Sequence, residues 1–171
     1  GKAVAASREA RVAEFAPAEP ATPQAHHADM ESLIHAGEEL AAIIAGTGQP
    51  NADLASRLAT AITLHPRLRD AHLLLGLDHT ERTAALWTGL ARHMRGLARA
   101  HAATIAGFYY YLAGDGPRTG IAIDTANRSA TATGNKPLTL TALLDSTLQA
   151  GISPHELRSV AIEALAAEGR T

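Results

Sequence analysis

The sequence predicts an all-α fold, an antiparallel bundle of helical hairpins. Apolar residues recur at helical spacing along most of the chain, and no stretch alternates polar and apolar residues as a half-buried strand does. Alanine dominates the 46% of residues that are hydrophobic, and aromatic residues make up only 4%. This balance suits closely packed helices better than β-sheets. Turn and cap sequences such as GDGP and SPHE separate the periodic segments.

The first 24 residues are predicted to form an arm outside the bundle. Residues 2–15 carry few large apolar side chains and form at most a short helix. The segment APAEPATPQ follows, and each of its three prolines disfavours a helix at the residue before it. We therefore divide the chain into an N-terminal arm with a proline-rich linker, residues 1–24, and an all-helical domain, residues 25–171. We expect the arm to add little to stability.

Amphipathic segments follow one another from the linker to about the middle of the chain. A long helix with a regular apolar face comes first and ends before GTGQP. Asn51 is the predicted N-cap of the next helix, and Pro66 interrupts that helix so that a short segment follows. Asp78 and Glu81 have the spacing of a capping box. The helix that they open directs Trp87 toward the core.

The C-terminal half predicts a helix, a GDGP turn, a second helix, a polar break and two more helices. The apolar stripe of the first of these helices comprises Ile105, Phe108, Tyr109 and Leu112. Gly114 suits the left-handed backbone that ends a helix, and Asp115 suits the N-cap of the next one. Ser153, Pro154 and Glu156 together form the clearest helix start in the chain.

This half also resembles a tetratricopeptide repeat (TPR), a helical hairpin of 34 residues. The matching positions are Ala106, Gly107, Tyr110, Gly114, Asp115 and Ala126. The departures are Ala103 at the usual tryptophan position, Thr119 at a small-residue position and Thr131 at the closing proline position. No clean second copy follows at the same period. We therefore predict a TPR-like hairpin in the C-terminal half and no TPR array.

A second resemblance covers nearly the whole chain. The segments ALWTGLARHMRG, YYLAGDGPRTGIAIDTA and LLDSTLQAGISPHELR, with GKAV and SREA near the start, resemble the C-terminal half of an actinobacterial family, domain-of-unknown-function family 4192. The chain departs from the family pattern at TATGNKPLTLTA and at the dipeptide Tyr110-Tyr111. The resemblance implies a helical fold and an actinobacterial source, and it implies no activity. It also implies that an N-terminal half of similar length is missing.

Charge and composition narrow the classes of function. The formal net charge is −2, so no overall field attracts nucleic acid or anionic lipid. The absence of cysteine excludes disulfides, thiolate metal sites and a cysteine nucleophile, and it suits a reducing cytoplasm, where we expect the protein to act. No apolar run approaches the ~20 residues that a membrane-spanning helix needs.

Three arginines and one tyrosine are the candidate interaction residues. Arg92, Arg95 and Arg99 lie at positions i, i+3 and i+7, so one continuous helix would align them as a basic strip. An anion, a phosphate backbone or an acidic partner suits this strip, and a solvated face is the alternative. Three consecutive tyrosines cannot all face inward, because successive helical residues point about 100° apart. Tyr109 belongs to the core stripe, and we expect Tyr111 at the surface as a contact anchor.

Histidines offer two weaker patterns. The densest group of metal-binding residue types comprises His26, His27 and His35 with Glu31, Glu38 and Glu39. Only Glu31 and His35 are set to share a helix face, whereas zinc needs three or four converging ligands. We predict no metal site, and whether these histidines bind a metal stays open. The second pattern, His65, His72 and His79 at every seventh residue, is interrupted by helix breaks.

No nucleophile, base, metal or cofactor motif converges in this sequence, so we predict a binding protein without a cofactor rather than an enzyme. The expected function is a protein-interaction or scaffolding module whose partner is another protein, and a homo-oligomer is also consistent with the sequence. Two alternatives remain. One is a nucleic-acid or anion-binding helical module that uses the arginine strip, and the other is an accessory half of a larger protein whose activity lies in a missing N-terminal half.

Overall fold

The computed structural model describes residues 7–21 and 29–168, and every regular element in these ranges is a helix. The prediction of an all-α fold is therefore confirmed for the described residues. The helices are α1 (Arg8–Ala13), α2 (Met30–Ile44), α3 (Ala52–Leu64), α4 (Pro66–Leu75), α5 (Thr80–Arg92), α6 (Gly96–Leu112), α7 (Gly116–Thr131), α8 (Thr139–Gln149) and α9 (Pro154–Glu168). The TPR-like character of the C-terminal half stays a prediction.

Most predicted helix starts are confirmed by their capping hydrogen bonds. Asn51 Oδ1 accepts the Leu54 amide at 2.8 Å. Asp115 and Ser153 cap α7 and α9 in the same way, three residues from the amide that each side chain binds. The predicted capping box at Asp78 is wrong. Helix α5 begins one residue later than that box requires, after His79, and no side chain caps it.

Helix α6 is the centre of the fold. Every residue from Ala100 to Tyr111 is buried, so this helix is covered on all sides. Helices α5 and α7 make its most extensive contacts, and α3, α4, α8 and α9 also pack on it. Gly107 allows α7 and α8 to lie close to α6, because a Cβ at that position would lie 3.1 Å from Ala122 Cβ and from Leu144 Cδ2. The predicted burial of Trp87 and Phe108 is confirmed.

The peripheral helices bury narrower stripes than their apolar patterns predict. Met30 and Ile34 belong to the periodic apolar pattern of α2, and both are exposed. Leu143 of α8 and Val160 of α9 are also exposed, at 59% and 61%. A helix that lies at the edge of a bundle contacts its neighbours along one side only. Periodicity identifies the residues on a face, whereas the width of the covered stripe depends on the neighbouring helices.

The N-terminal arm is packed against the bundle. Phe15 is only 2% exposed and belongs to the main hydrophobic core. The Ala18 and Ala21 amides donate to the carbonyls of Arg92 and His93 at 2.8 and 2.9 Å. The expectation that the prolines uncouple the arm from the bundle is therefore wrong for residues 7–21. The predicted boundary near residue 24 lies outside the described residues and stays a prediction.

Within the described ranges, no helix combines the length and the apolar character that a membrane crossing requires.

Candidate functional site

The predicted arginine strip does not lie on one helix. Helix α5 ends at Arg92, α6 begins at Gly96, and Arg95 lies between them in an extended conformation with φ −134° and ψ 160°. Gly96 has a φ of +60°, in the left-handed region that favours glycine, and this conformation reverses the chain direction. The i, i+3, i+7 alignment of Arg92, Arg95 and Arg99 is therefore absent.

The three guanidinium groups bind the N-terminal arm. Arg92 Nε donates to the Ala16 carbonyl at 2.9 Å, and a terminal nitrogen of Arg99 donates to the Phe15 carbonyl at 2.6 Å. Arg95 donates to the Ala18 carbonyl. These carbonyls follow the last residue of α1, so they accept side-chain donors where a helix would supply backbone N–H groups. The arginines that were predicted to meet a ligand thus also hold the arm in place.

Arg95 and Arg99 also donate hydrogen bonds to backbone carbonyls at the C-terminal end of α5. Arg95 donates to the carbonyls of Arg92 and Met94, each at 2.9 Å, and Arg99 donates to the Ala91 carbonyl at 3.2 Å. The last carbonyls of a helix lack intrahelical donors, and a cation there also complements the helix dipole. The orientation of both guanidinium groups is fixed on two sides, by the arm and by α5.

A pocket of about 540 Å³ opens beside these side chains, between the arm, α6 and α7. Its cationic lining comprises Arg95, Arg99 and Arg128, and no aspartate or glutamate is among its described lining residues. Burial lowers the pKa of Arg99, and the positive charges of Arg95 and Arg128 lower that pKa further. The arrangement therefore concentrates positive charge in one concave region. We name it the arm pocket.

Sequence reasoning missed Arg128 as a member of this group. Arg128 lies on α7, 29 positions after Arg99, and only the packing of α6 against α7 brings the two together. Nothing in the local sequence around Arg128 distinguishes it from a solvated helical arginine. The arm side of the pocket was missed because its residues were assigned to an arm outside the bundle.

Tyr111 is buried, and the expectation that it lies at the surface is wrong. Its hydroxyl donates to the Thr147 carbonyl at 3.1 Å and to the Ile152 carbonyl. A hydroxyl carries one proton, so these two carbonyls share it. Tyr111 packs with Ile123 and Leu144 beneath the turn that joins α8 to α9. The residue holds that turn in place and is not itself available to a partner.

The histidine patterns do not form a metal centre in the described residues. His26 and His27 lie outside them, and His35 is exposed, with its two ring nitrogens each 3.4 Å from a glutamate. No group of three or more metal-binding side chains occurs in residues 7–21 and 29–168. His65 and His79 lie at helix ends, whereas His72 is buried within α4, so the three do not share a face.

His72 contacts Trp87 in the core. The two rings meet edge to face with their centroids 5.2 Å apart, and neither His72 Nδ1 nor Trp87 Nε1 has a hydrogen-bond partner in the structure. Burial lowers the pKa of His72 to about 4. The imidazole is therefore neutral in the folded protein near pH 7, which avoids a buried unpaired charge.

The α8–α9 hairpin presents large apolar side chains to solvent. Leu143 on α8, Ile152 in the connecting turn and Val160 on α9 are all exposed, and α9 contains no buried residue. Helix α8 packs on α6 and α7, whereas α9 packs on α6 and α4. The two helices therefore rest on the bundle separately, and each leaves an outer face uncovered. We name Leu143, Ile152 and Val160 the hairpin apolar residues.

These features define an all-helical protein with a basic pocket at one place and an exposed apolar hairpin at another. The family comparison agrees with the resemblance that the sequence motifs carry. Residues 1–155 match the model of the domain of unknown function DUF4192, and the chain belongs to this family. Neither the curated proteins nor the solved structures gave a match to the chain. Its origin and its position within a full-length member stay predictions.

Proposed function

We propose that this chain is a protein-interaction module that binds a partner protein through its α8–α9 hairpin, and that its role is binding rather than catalysis. The single observation that carries the proposal is the exposure of the hairpin apolar residues on a pair of helices of which α9 has no buried residue. Several large apolar side chains that remain in water on consecutive elements of the chain favour a contact surface.

The gain from covering these side chains is substantial. Leu143 and Val160 are 59% and 61% exposed, so more than half of each side chain remains to be buried. Full burial of a completely exposed side chain of this kind contributes about 1.5–3 kcal/mol, so covering the remaining area contributes about 1–2 kcal/mol for each residue. Two or three of them at the centre of an interface are enough to serve as its main anchors.

The chemistry of the surface favours an amphipathic helix as the binding segment of the partner. Helices α8 and α9 contact the bundle more than each other, and a helix laid along their outer faces would contact both. Acidic side chains flank the apolar residues, with Asp145 on α8 and Glu156 and Glu163 on α9. We therefore expect basic residues beside the apolar stripe of the partner, because complementary charge favours encounter and sets the register.

Nucleic-acid binding through Arg92, Arg95 and Arg99 is the less favoured alternative. Each of these guanidinium groups donates to a carbonyl of the arm, so the three are turned toward the arm and are not aligned along an open face that a polynucleotide could follow. The break between α5 and α6 also removes the continuous strip that would follow a phosphate backbone.

The test compares aspartate substitutions at three apolar residues whose side chains are exposed to a similar extent. Leu143→Asp and Val160→Asp place a charge on the hairpin, and Leu64→Asp places one at a residue of α3 that is 64% exposed. Proteins captured from the source cytoplasm by the wild-type chain are identified, purified and titrated against each variant. We expect the two hairpin changes to weaken binding at least about tenfold, or about 1.4 kcal/mol, and Leu64→Asp to leave it unchanged.

Two results would overturn the proposal. One is a set of captured partners whose affinities are the same for the wild type and for both hairpin variants. The other is a concentration-dependent dimer in sedimentation equilibrium that the hairpin variants convert to monomer, because the hairpin would then bind a second copy of the chain.

A further inference from the structure

We propose that the arm pocket is a binding site for a small phosphate monoester, held by Arg95, Arg99 and Arg128. The inference is independent of the hairpin surface. It rests on three cationic side chains from separate segments that face one concave space of about 540 Å³, without a carboxylate among its described lining residues. Pockets of this size are typical of small-ligand sites.

The charge of the pocket is the first argument. The chain as a whole has a formal net charge of −2, yet three guanidinium groups are brought together here. Like charges at close range repel one another, and the lowered pKa of Arg99 reflects that repulsion as well as burial. A bound dianion removes the repulsion, so the folded protein gains most from a ligand of high negative charge.

The hydrogen-bonding capacity of the side chains is the second argument. The Arg95 and Arg99 guanidinium groups are oriented by carbonyls of the arm and of α5, so little side-chain freedom is lost when a ligand binds. Arg128 makes one side-chain bond, in which its Nε donates to the Asp124 carbonyl at 3.4 Å. Its terminal N–H groups remain for a ligand, and a guanidinium fork matches two phosphate oxygens.

The start of α6 supports the same assignment. Gly96 lines the pocket and begins this 17-residue helix, and no side chain caps it. The first amides of a helix lack intrahelical acceptors, and the helix dipole adds partial positive charge there. A Cβ at Gly96 would lie 3.0 Å from Thr133 Cγ2. Glycine at position 96 is therefore compatible both with the positive φ and with the close approach of Thr133.

The remaining lining favours a monoester over the free ion. Val12, Pro17 and Ala132 line the pocket beside the arginines. An organic group attached to the phosphate has apolar surface to contact there, which inorganic phosphate lacks. A monocarboxylate carries half the charge of a phosphate dianion and is the weaker match to three guanidinium groups.

The experiment titrates the full chain by isothermal calorimetry with phenyl phosphate, inorganic phosphate and benzoate at one ionic strength. We expect the order of affinity phenyl phosphate, then inorganic phosphate, then benzoate. Arg128→Gln should weaken phenyl phosphate binding about tenfold or more, because it removes one of three charges without touching the arm. Arg67→Gln, at an exposed arginine of α4, is the matched control and should leave binding unchanged.

If Arg128→Gln lowers helicity in circular dichroism, a second variant is used to test the role of Arg128 in ligand binding. Arg128→Lys retains the charge and loses the fork, so its affinity should fall between those of the wild type and Arg128→Gln. Absence of saturable phenyl phosphate binding to the wild type at about 10 mM, or equal binding by Arg128→Gln and Arg67→Gln, would overturn the proposal.

A further arm of the experiment separates the small ligand from nucleic acid. Tighter binding of a single-stranded oligonucleotide than of phenyl phosphate, with a log–log salt slope of about −2 or steeper, would replace the monoester assignment. Failure of this site is distinguishable from failure of the proposed partner interaction. Arg128→Gln should leave partner binding unchanged, and Leu143→Asp should leave phenyl phosphate binding unchanged.

Discussion

Replacement of Phe15 by alanine tests whether the N-terminal arm is an integral part of the fold. Phe15 is 2% exposed, and its ring meets the Tyr110 ring edge to face at a centroid distance of 6.5 Å. Its carbonyl accepts a hydrogen bond from Arg99 at 2.6 Å. The substitution removes the ring and leaves that carbonyl, so it isolates the contribution of apolar packing.

The expected cost follows from the burial. Truncation of a buried phenylalanine to alanine costs about 3–5 kcal/mol, through lost transfer free energy and the cavity that remains. For a domain of this size, each kcal/mol lowers the unfolding midpoint by about 2–4 °C. Phe15→Ala should therefore lower the midpoint by about 6–20 °C. The cost cannot exceed that of detaching the arm, so deletion of residues 1–24 should destabilise the protein at least as much.

The measurement is the free energy of unfolding from urea denaturation, with thermal unfolding by circular dichroism alongside. Leu143→Ala is the control, because this side chain is 59% exposed and its truncation should cost less than about 0.5 kcal/mol in the isolated chain. A loss below about 1 kcal/mol for Phe15→Ala, with an unchanged midpoint after deletion of the arm, would show that the arm does not dock. The contacts described for residues 7–21 would then not stabilise the protein.

Three further changes probe other parts of the structure. A Cβ at Gly76 would lie 2.2 Å from Thr83 Oγ1, so Gly76→Ala should lower the free energy of unfolding by about 1–3 kcal/mol. Gly120→Ala is the control and should not destabilise the protein, because a Cβ there would meet nothing within 4 Å. Equal urea midpoints for the two variants would contradict this prediction. Tyr111→Phe removes the hydroxyl that binds the α8–α9 turn and should cost about 0.5–1.5 kcal/mol, with faster amide exchange in α8 and α9; unchanged exchange would count against it. Burial lowers the pKa of His72 from 6.5 to about 4, so the unfolded chain takes up a proton first as the pH falls. Stability should be full above pH 6.5 and decrease by on the order of 3 kcal/mol toward pH 4, and His72→Leu should lack this component of the urea-unfolding profile.

The helix starts were predictable because their determinants are local. Asn51, Asp115 and Ser153 each bind an amide three residues away, so the sequence window that contains the cap also contains its partner. The break between α5 and α6 was harder to predict, since no proline marks it. Gly96 is its one local signal, and an isolated glycine within a helical pattern is tolerated. Its positive φ shows that it also ends the alignment of the arginines.

The candidate site was largely beyond sequence reasoning, because its parts are distant along the chain. The arm pocket combines Pro17, Arg99 and Arg128. Proline statistics correctly disfavour a helix in residues 16–21, and they contain no information about whether that segment lies against the bundle. Tyr111 illustrates the same limit. Helical geometry separates it from Tyr109, and contacts with later segments, from Ile123 and Leu144 to the turn at Ile152, determine that it is covered.

The central position of α6 has a consequence for biosynthesis. A chain leaves the ribosome from its N-terminus, so α1 to α5 emerge before the helix against which several of them pack. Helix α3 can pack on α2 and α4 earlier, but its contacts with α6, and those of Phe15 with Tyr110, form only when residues 96–112 are available. The residues before Gly96 therefore cannot complete this part of the core until Tyr110 has emerged. Silent codon changes that slow translation just before Gly96 should lower the yield of folded protein more than the same changes after Thr131.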